Sequence, residues 1–348
     1  MSVNSYISIY NRSGAKLTEI VAPCARSWMI GQFGTCEFVV PGSHSQFNRQ
    51  NFAFRNPVVV KTPGLPVWGG FLWPGRDWLT DESVVIRGRS PELVLGLRNS
   101  PGLSGSTSSV FQSIIELTNA VEDTLIRLGT VADNILSFTN IARPPSNLFQ
   151  ALNEIIDASG MEYEIVPVES QGQLTFTMNL QERFNRSITD FALQEGYNMR
   201  MASGSSALTE QGPIFNDVTI YRNNGAGGYN ATYFASDAAS QSEFGLAQTA
   251  ITVEEESQLS DTAVASAFIT AHKQPGKVFA LEVFDRTEHG TTSTFDYLRL
   301  GNEISLKFSR VGFNASGGRG MTTTARIVGI SYSDYSNTCH VAVEEIHV

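Results

Sequence analysis

Short runs of β-branched and aromatic residues, each closed by Gly, Pro, Asn or Ser, fill residues 1–100 and return over 214–348. This spacing constrains the fold most, because several short strands between turn residues form a barrel or a sandwich. Strands are expected at residues 6–10 and 17–21, joined by Asn11–Gly14, and then at 36–40, 58–61, 67–73 and 83–87. Pro63, Pro66 and Pro74 confine the Trp-containing stretch to edges, strand starts or bulges. Residues 91–98 read as one helical turn, and the Ser/Gly-rich stretch 99–109 is the best boundary.

The middle has a different period. Val110, Ile114, Leu117, Val121, Leu125, Leu128, Val131, Ile135 and Phe138 recur at steps of three or four, which predicts helix over 110–141. This run has two possible seats, a partner chain or the chain's own β body, and the second is the plainer. Pro144-Pro145 ends the run. Ser146 is the expected N-cap of a helix over 147–158, with Gly160 beyond it. A hairpin across Gln171-Gly172 pairs 163–168 with 174–178, and 186–193 reads as a short helix. Strands follow at 218–221 and 232–234. Ser260 or Asp261 caps a helix through 272, stopped by Pro275. The chain closes with strands at 278–284, 303–308, 325–331 and 340–346, and with a Gly-rich hairpin loop over 313–324. The expected fold is mainly β with α insertions: two small β-barrels and a helical middle segment. Residues 1–100 give the first barrel part, 101–213 the helical segment plus a small α/β insertion, and 214–348 the second β-rich domain.

Charged residues are 17% of the chain, below the usual quarter. Residues 1–100 carry ten basic and six acidic side chains, a balance of +4; residues 101–348 carry fourteen and twenty-eight, a balance of −14. A phosphate-binding face needs the opposite sign. Arg outnumbers Lys nineteen to five, which fits partly buried ion pairs at interfaces and equally a genomic base bias. Cys24, Cys36 and Cys339 are odd in number and lack metal spacing, so no disulfide framework is expected. The opening MSVNSYISIYNR is not a signal peptide, and no run of about 18 apolar residues predicts a membrane span.

Catalytic patterns are absent: no HExxH, GxSxG or Walker A loop occurs. Gly317–Gly320 reads as a flexible loop. His44, His272, His289, His340 and His347 lie far apart and point to no metal site. The carboxylates of Glu254–Glu256 and Glu344-Glu345 sit on neighbouring residues and face opposite sides of a strand. Trp68, Phe71, Trp73 and Trp78 are the only sugar-stacking candidates, and aromatics in a β body are more often core or interface. No catalytic, cofactor-binding or metal-ligating residue is assigned, and no cofactor is expected.

The order of segments resembles the baseplate hub, or tail-associated minor tail, proteins of long-tailed phages. The matching stretches are Ile7-Ser-Ile-Tyr-Asn-Arg-Ser-Gly14, Gln32–Pro41, Val67-Trp-Gly-Gly-Phe71 with Ser83–Arg89, and Phe149–Gly160 with Tyr163-Glu-Ile165. They continue with Leu193–Asn198, Ser242-Glu-Phe-Gly245, the Ala-rich helix 260–272 with Pro275, Leu298–Ile304 and Arg326–Ile330. Phe244 stands where Tyr is usual, and the run 110–141 is longer than the family pattern.

The resemblance implies a non-enzymatic homotrimer whose subunits each give two similar barrels. Three chains then make a ring of near-sixfold symmetry. Such a ring joins the tail tube, through the distal tail protein ring, to a threefold tip fibre or spike. It surrounds the channel through which DNA passes without specific binding. The implied place is the baseplate of a virion, after synthesis in the host cytoplasm. The alternatives are a host-surface glycan-binding tail-tip protein and, further off, a tail-associated hydrolase.

Overall fold

The structure is a computed structural model. It describes residues 5–346 except 81–82, 101–107, 110–124, 132–136, 139–145, 151, 154–161, 182–185, 203–207, 212–213, 224–227, 254–259, 274–275, 289–291, 314–318 and 337.

The first β body is built from β1 (Ser5–Tyr10), β2 (Lys16–Ala22), β3 (Cys24–Met29), β4 (Thr35–Pro41), β5 (Pro57–Lys61), β6 (Trp68–Thr80) and β7 (Ser83–Arg89). They pair antiparallel in the order β3-β4-β7-β6-β5-β1-β2. The first hairpin forms because Asn11 Oδ1 accepts the backbone N–H of Ser13 at 3.0 Å and of Ala15 at 2.9 Å, while Gly14 takes φ 89°. The path ends where it began: β2 runs into β3 through Pro23 alone. Ile7, Ile9, Ile20, Phe38, Val58, Val60, Trp68, Leu72 and Ile86 fill the space inside.

Alternate residues of the same strands face outward into a second core. Tyr10, Val59 and Phe71 pack there against Leu174, Phe176 and Met178. This explains why Val58-Val59-Val60 is an unbroken apolar run, since β5 is covered on both faces. The covering layer begins with α1 (Glu92–Gly96) and the two-residue strands β8 (Asn99–Ser100) and β9 (Ser108–Ser109). It continues through β10 (Ile126–Val131), β11 (Ser137–Phe138), β12 (Ser146–Asn147), β13 (Glu162–Ser170) and β14 (Gln173–Gln181). The β13–β14 hairpin forms as expected; its turn residues Gln171 and Gly172 both have positive φ, 52° and 77°.

The second β body contains β15 (Arg186–Gln194), β16 (Met199–Met201), β17 (Leu208–Gln211), β21 (Gly276–Val283), β24 (Asn302–Phe313), β25 (Arg319–Ser333) and β26 (Thr338–Glu345). Between β17 and β21 the chain forms β18 (Asp217–Asn223), β19 (Tyr229–Ser236), α2 (Ala238–Phe244), β20 (Gln248–Val253) and α3 (Asp261–His272). The short strands β22 (Thr287–Glu288) and β23 (Thr292–Ser293) lie between β21 and β24. Helix α3 packs Ala265 and Ile269 on Val218 and Ile220 of the small sheet β19-β18-β20. Leu193, Phe279, Leu281, Leu306, Ile327, Tyr332 and Val343 form the core of the second body.

Four expectations are corrected. Residues 126–131 are the strand β10, parallel to β14, and 137–138 pair with β9, so that part of 110–141 is not helix; residues 110–124 lie outside the described residues. Leu125, Leu128 and Val131 recur at a helical step, but over so short a run the distant partner decides. Residues 186–194 are the strand β15, not a helix, because β24 supplies a parallel ladder. Asn147, not Ser146, caps the next helix: its Oδ1 accepts the N–H of Phe149 at 3.0 Å and of Gln150 at 3.3 Å. The hairpin loop over 313–324 is shorter, since β24 reaches Phe313 and β25 starts at Arg319.

The fold class is mainly β, with two large β bodies, each filled by its own core. They are not two separate closed barrels: one ladder runs through both bodies, and no ladder closes on itself among the described residues.

Candidate assembly site at the seam of the two β bodies

One strand joins the bodies. The first half of β25 pairs with β24, and its last part, Gly329–Ser333, switches to Ala25–Met29 of β3, while β26 holds its other side. Trp28 packs against both cores.

A buried polar group sits at the crossing. Arg26 on β3 and Asp334, just past β25, stand 3.7 Å apart, and neither side chain is exposed. Asp334 Oδ2 accepts the Cys24 N–H at 2.9 Å and the Ser5 hydroxyl at 2.5 Å. Arg26 donates to Ser5 Oγ at 3.0 Å and to Thr62 Oγ1, and its guanidinium lies 5.0 Å from the Tyr332 ring centre. Burying two charges costs several kcal/mol per ion, and only a full set of partners offsets it. The pair ties the two bodies together at the point where β25 lies on β3, although Arg26 Nε and Asp334 Oδ1 make no hydrogen bond.

Two further ties hold the covering layer. Arg326 of β25 bonds Glu344 at 3.2 Å and also Glu162 of β13. Glu169 of β13 accepts the Tyr10 hydroxyl at 2.6 Å and pairs with Lys61 at 2.5 Å. Burial, with the Glu169 carboxylate beside it, pushes the Tyr10 hydroxyl well above the usual tyrosine range.

The remaining sequence candidates do not converge. Trp68 is only 1% exposed, with Nε1 donating to the Ser27 carbonyl at 3.1 Å, and Phe71 is buried too; these two belong to cores, not to a sugar platform. Trp73 packs edge-on against Phe54. Glu344 and Glu345 are spent on Arg326 and Thr323. Residues 254–256 and His347 lie outside the described residues. The three cysteines are buried and unbridged. Burial pushes the Cys339 thiol up to about 12.

What the surface does offer is apolar. Tyr6 and Val21 are opposite each other on β1 and β2 and are both exposed. Phe234, 68% exposed, stands on the edge strand β19, on the face of its sheet turned away from α3; Tyr229, Phe244 and Leu246 are exposed nearby in sequence. Sequence reasoning missed these patches because lone apolar residues on a strand do not announce which face is bare.

No protein-family model matches the chain, and no curated protein matches it. Solved structures do. A tail protein from Neisseria meningitidis MC58 aligns with a TM-score of 0.61 and 12% identity, over 98% of this chain and 96% of that one. Prophage tail protein gp18 from Listeria monocytogenes EGD-e gives 0.59 and 11%, over 98% and 95%. The 43 kDa tail protein of prophage MuSo2 from Shewanella oneidensis gives 0.56 and 13%, over 98% of each chain. The E. coli c3393 protein, a type VI secretion component described as similar to the T4 tail proteins gp27 and gp5, gives 0.51 and 9%, over 94% and 73%. Along nearly its whole length, this chain has the fold of phage tail proteins.

Proposed function

We propose that the chain is a non-enzymatic structural hub subunit of a phage-type tail tip and works as a homotrimer. The observation that carries this reading is the pair of β cores joined through β3 and β25. Each copy supplies two β bodies joined by one ladder, so three copies supply six. A ring of that kind meets a sixfold tail tube and distal tail protein ring on one side and a threefold fibre or spike on the other.

Residues 5–89 then form the first β body, 92–181 the covering layer, and 186–345 the second body with its insertion, because β15, β16 and β17 pair with β24 and β21. The exposed pair Tyr6–Val21 and the exposed residues Phe234 and Leu246 are contacts for neighbouring copies. The balance of −14 over residues 101–348 supports a lumen that DNA crosses without adhering. The place of action is the baseplate of a virion.

Light scattering on the purified chain during gel filtration tests the trimer. The expected mass is three times the 38.0 kDa of one chain. A single-chain mass at about 10 μM would remove the ring, since an obligate interface holds well below that concentration.

A further inference from the structure

Two of the three cysteines meet inside the first β body. The register of β3 on β4 sets Cys24 opposite Phe38 and Cys36 opposite Arg26, so the cysteines are diagonal neighbours. Both belong to the same core, and their sulfurs lie 3.4 Å apart. The third, Cys339, is buried in the core of the second body.

The two thiols are not alike. The Cys36 thiol and the Arg26 guanidinium hold Cys24 below the usual thiol range, whereas burial pushes Cys36 up. One sulfur is the readier thiolate, and the other keeps its proton within reach of it. The thiolate is the form that reacts with an oxidant. Both side chains are buried, so an oxidant enters through a local opening. That opening is small, because the ladder between β3 and β4 is three residue pairs long.

We propose that Cys24 and Cys36 are an oxidant-responsive pair that forms a reversible disulfide between β3 and β4, beside the seam. With a peroxide as oxidant, the Cys24 thiolate attacks one peroxide oxygen, the O–O bond breaks and hydroxide leaves. Cys24 is then a sulfenic acid. The Cys36 sulfur attacks the Cys24 sulfur, the S–O bond breaks, and the hydroxyl departs with the Cys36 proton as water. The hydroxide takes up the proton lost when Cys24 ionised. Two thiols are oxidised by two electrons, and one hydrogen peroxide is reduced to two waters.

The sulfurs close from 3.4 Å to about 2 Å. Diagonal neighbours stand about 7–8 Å apart at Cα, past the usual span of a disulfide, so β3 and β4 must draw together. That strain makes the bond easy to reduce. The seam feels the change, because the Cys24 N–H donates to Asp334 at 2.9 Å and Arg26 stands opposite Cys36. The cross-link lies within one chain and does not depend on the ring.

The test treats the folded full chain with hydrogen peroxide, blocks the remaining thiols with iodoacetamide, and digests with trypsin without reduction. Cleavage after Lys16, Arg26 and Arg49 puts Cys24 in peptide 17–26 and Cys36 in peptide 27–49. The expected product is these two peptides joined, two hydrogens lighter than their sum and separated by dithiothreitol. Cys339 keeps its thiol, so the thiol count falls from three to one. Cys339→Ala keeps the link and Cys36→Ala abolishes it. Should Cys36→Ala fail to fold, wild type and Cys339→Ala decide. Both peptides alkylated after exposure, a link to Cys339, or a sulfinic acid at Cys24 in place of the link overturns the proposal.

Discussion

Arg26 and Asp334 face each other at 3.7 Å with no solvent reaching either side chain, one on the strand that starts the first β body's path and the other just past the strand that crosses over from the second. The ion pair therefore tests how the two bodies depend on one another. Asp334→Ala leaves a buried guanidinium without its counter-ion and is expected to cost about 3–5 kcal/mol. Arg26→Met strands the carboxylate and costs a similar amount. The double variant recovers part of the loss, because two unpaired charges are worse than none. Urea unfolding of the four proteins measures the coupling; additive losses would show that the pair does not hold the seam.

Glu92 gives the fold a pH dependence of definite sign. Its folded value is about 7 because burial disfavours the carboxylate, against an ordinary 4.5 in the unfolded chain. The unfolded state therefore releases the proton first as pH rises. The contribution of Glu92 is fully present below about 4.5, falls between 4.5 and 7, and is flat above 7. Across that window wild type should lose on the order of 3 kcal/mol relative to Glu92→Gln. Denaturant midpoints of both proteins at pH 5 and 8 measure this; parallel pH profiles would contradict it.

Gly70 is present because nothing larger fits. A Cβ there would stand 2.2 Å from the Arg89 carbonyl oxygen and 2.5 Å from the Trp68 ring. Gly70→Ala must push β6 away from β7 and is expected to cost about 1–3 kcal/mol. Gly96→Ala is the control, since its Cβ would meet only the Phe33 ring, at 3.7 Å. Thermal melts should separate the two; an equal melting temperature would refute the close approach.

Much of this architecture is local and therefore legible in the sequence. The β13–β14 hairpin is written into Gln171-Gly172, and α3 into Asp261 at its start and Pro275 beyond its end. The misread segments share another cause. β10 and β15 lie in parallel ladders with β14 and β24, strands far away in the chain, so nothing near them in sequence distinguishes strand from helix. The seam was invisible for the same reason: a lone Arg26 and a lone Asp334 carry no pattern, and only the switch of β25 from β24 to β3 brings them together. The aromatic stretch was legible as core or interface, and Trp68 and Phe71 are buried; which layer covers them was not legible, because Gly69 is met by Pro167 and Phe176, far away in the chain.

The account rests on two β bodies per copy closing a circle with further copies. Electron microscopy of the purified assembly, viewed down its axis and averaged without imposed symmetry, measures this directly. Six β lobes around an open lumen, grouped as three pairs, are the expected image. A ring of three or of any number other than six lobes, or isolated two-lobed particles, would contradict it.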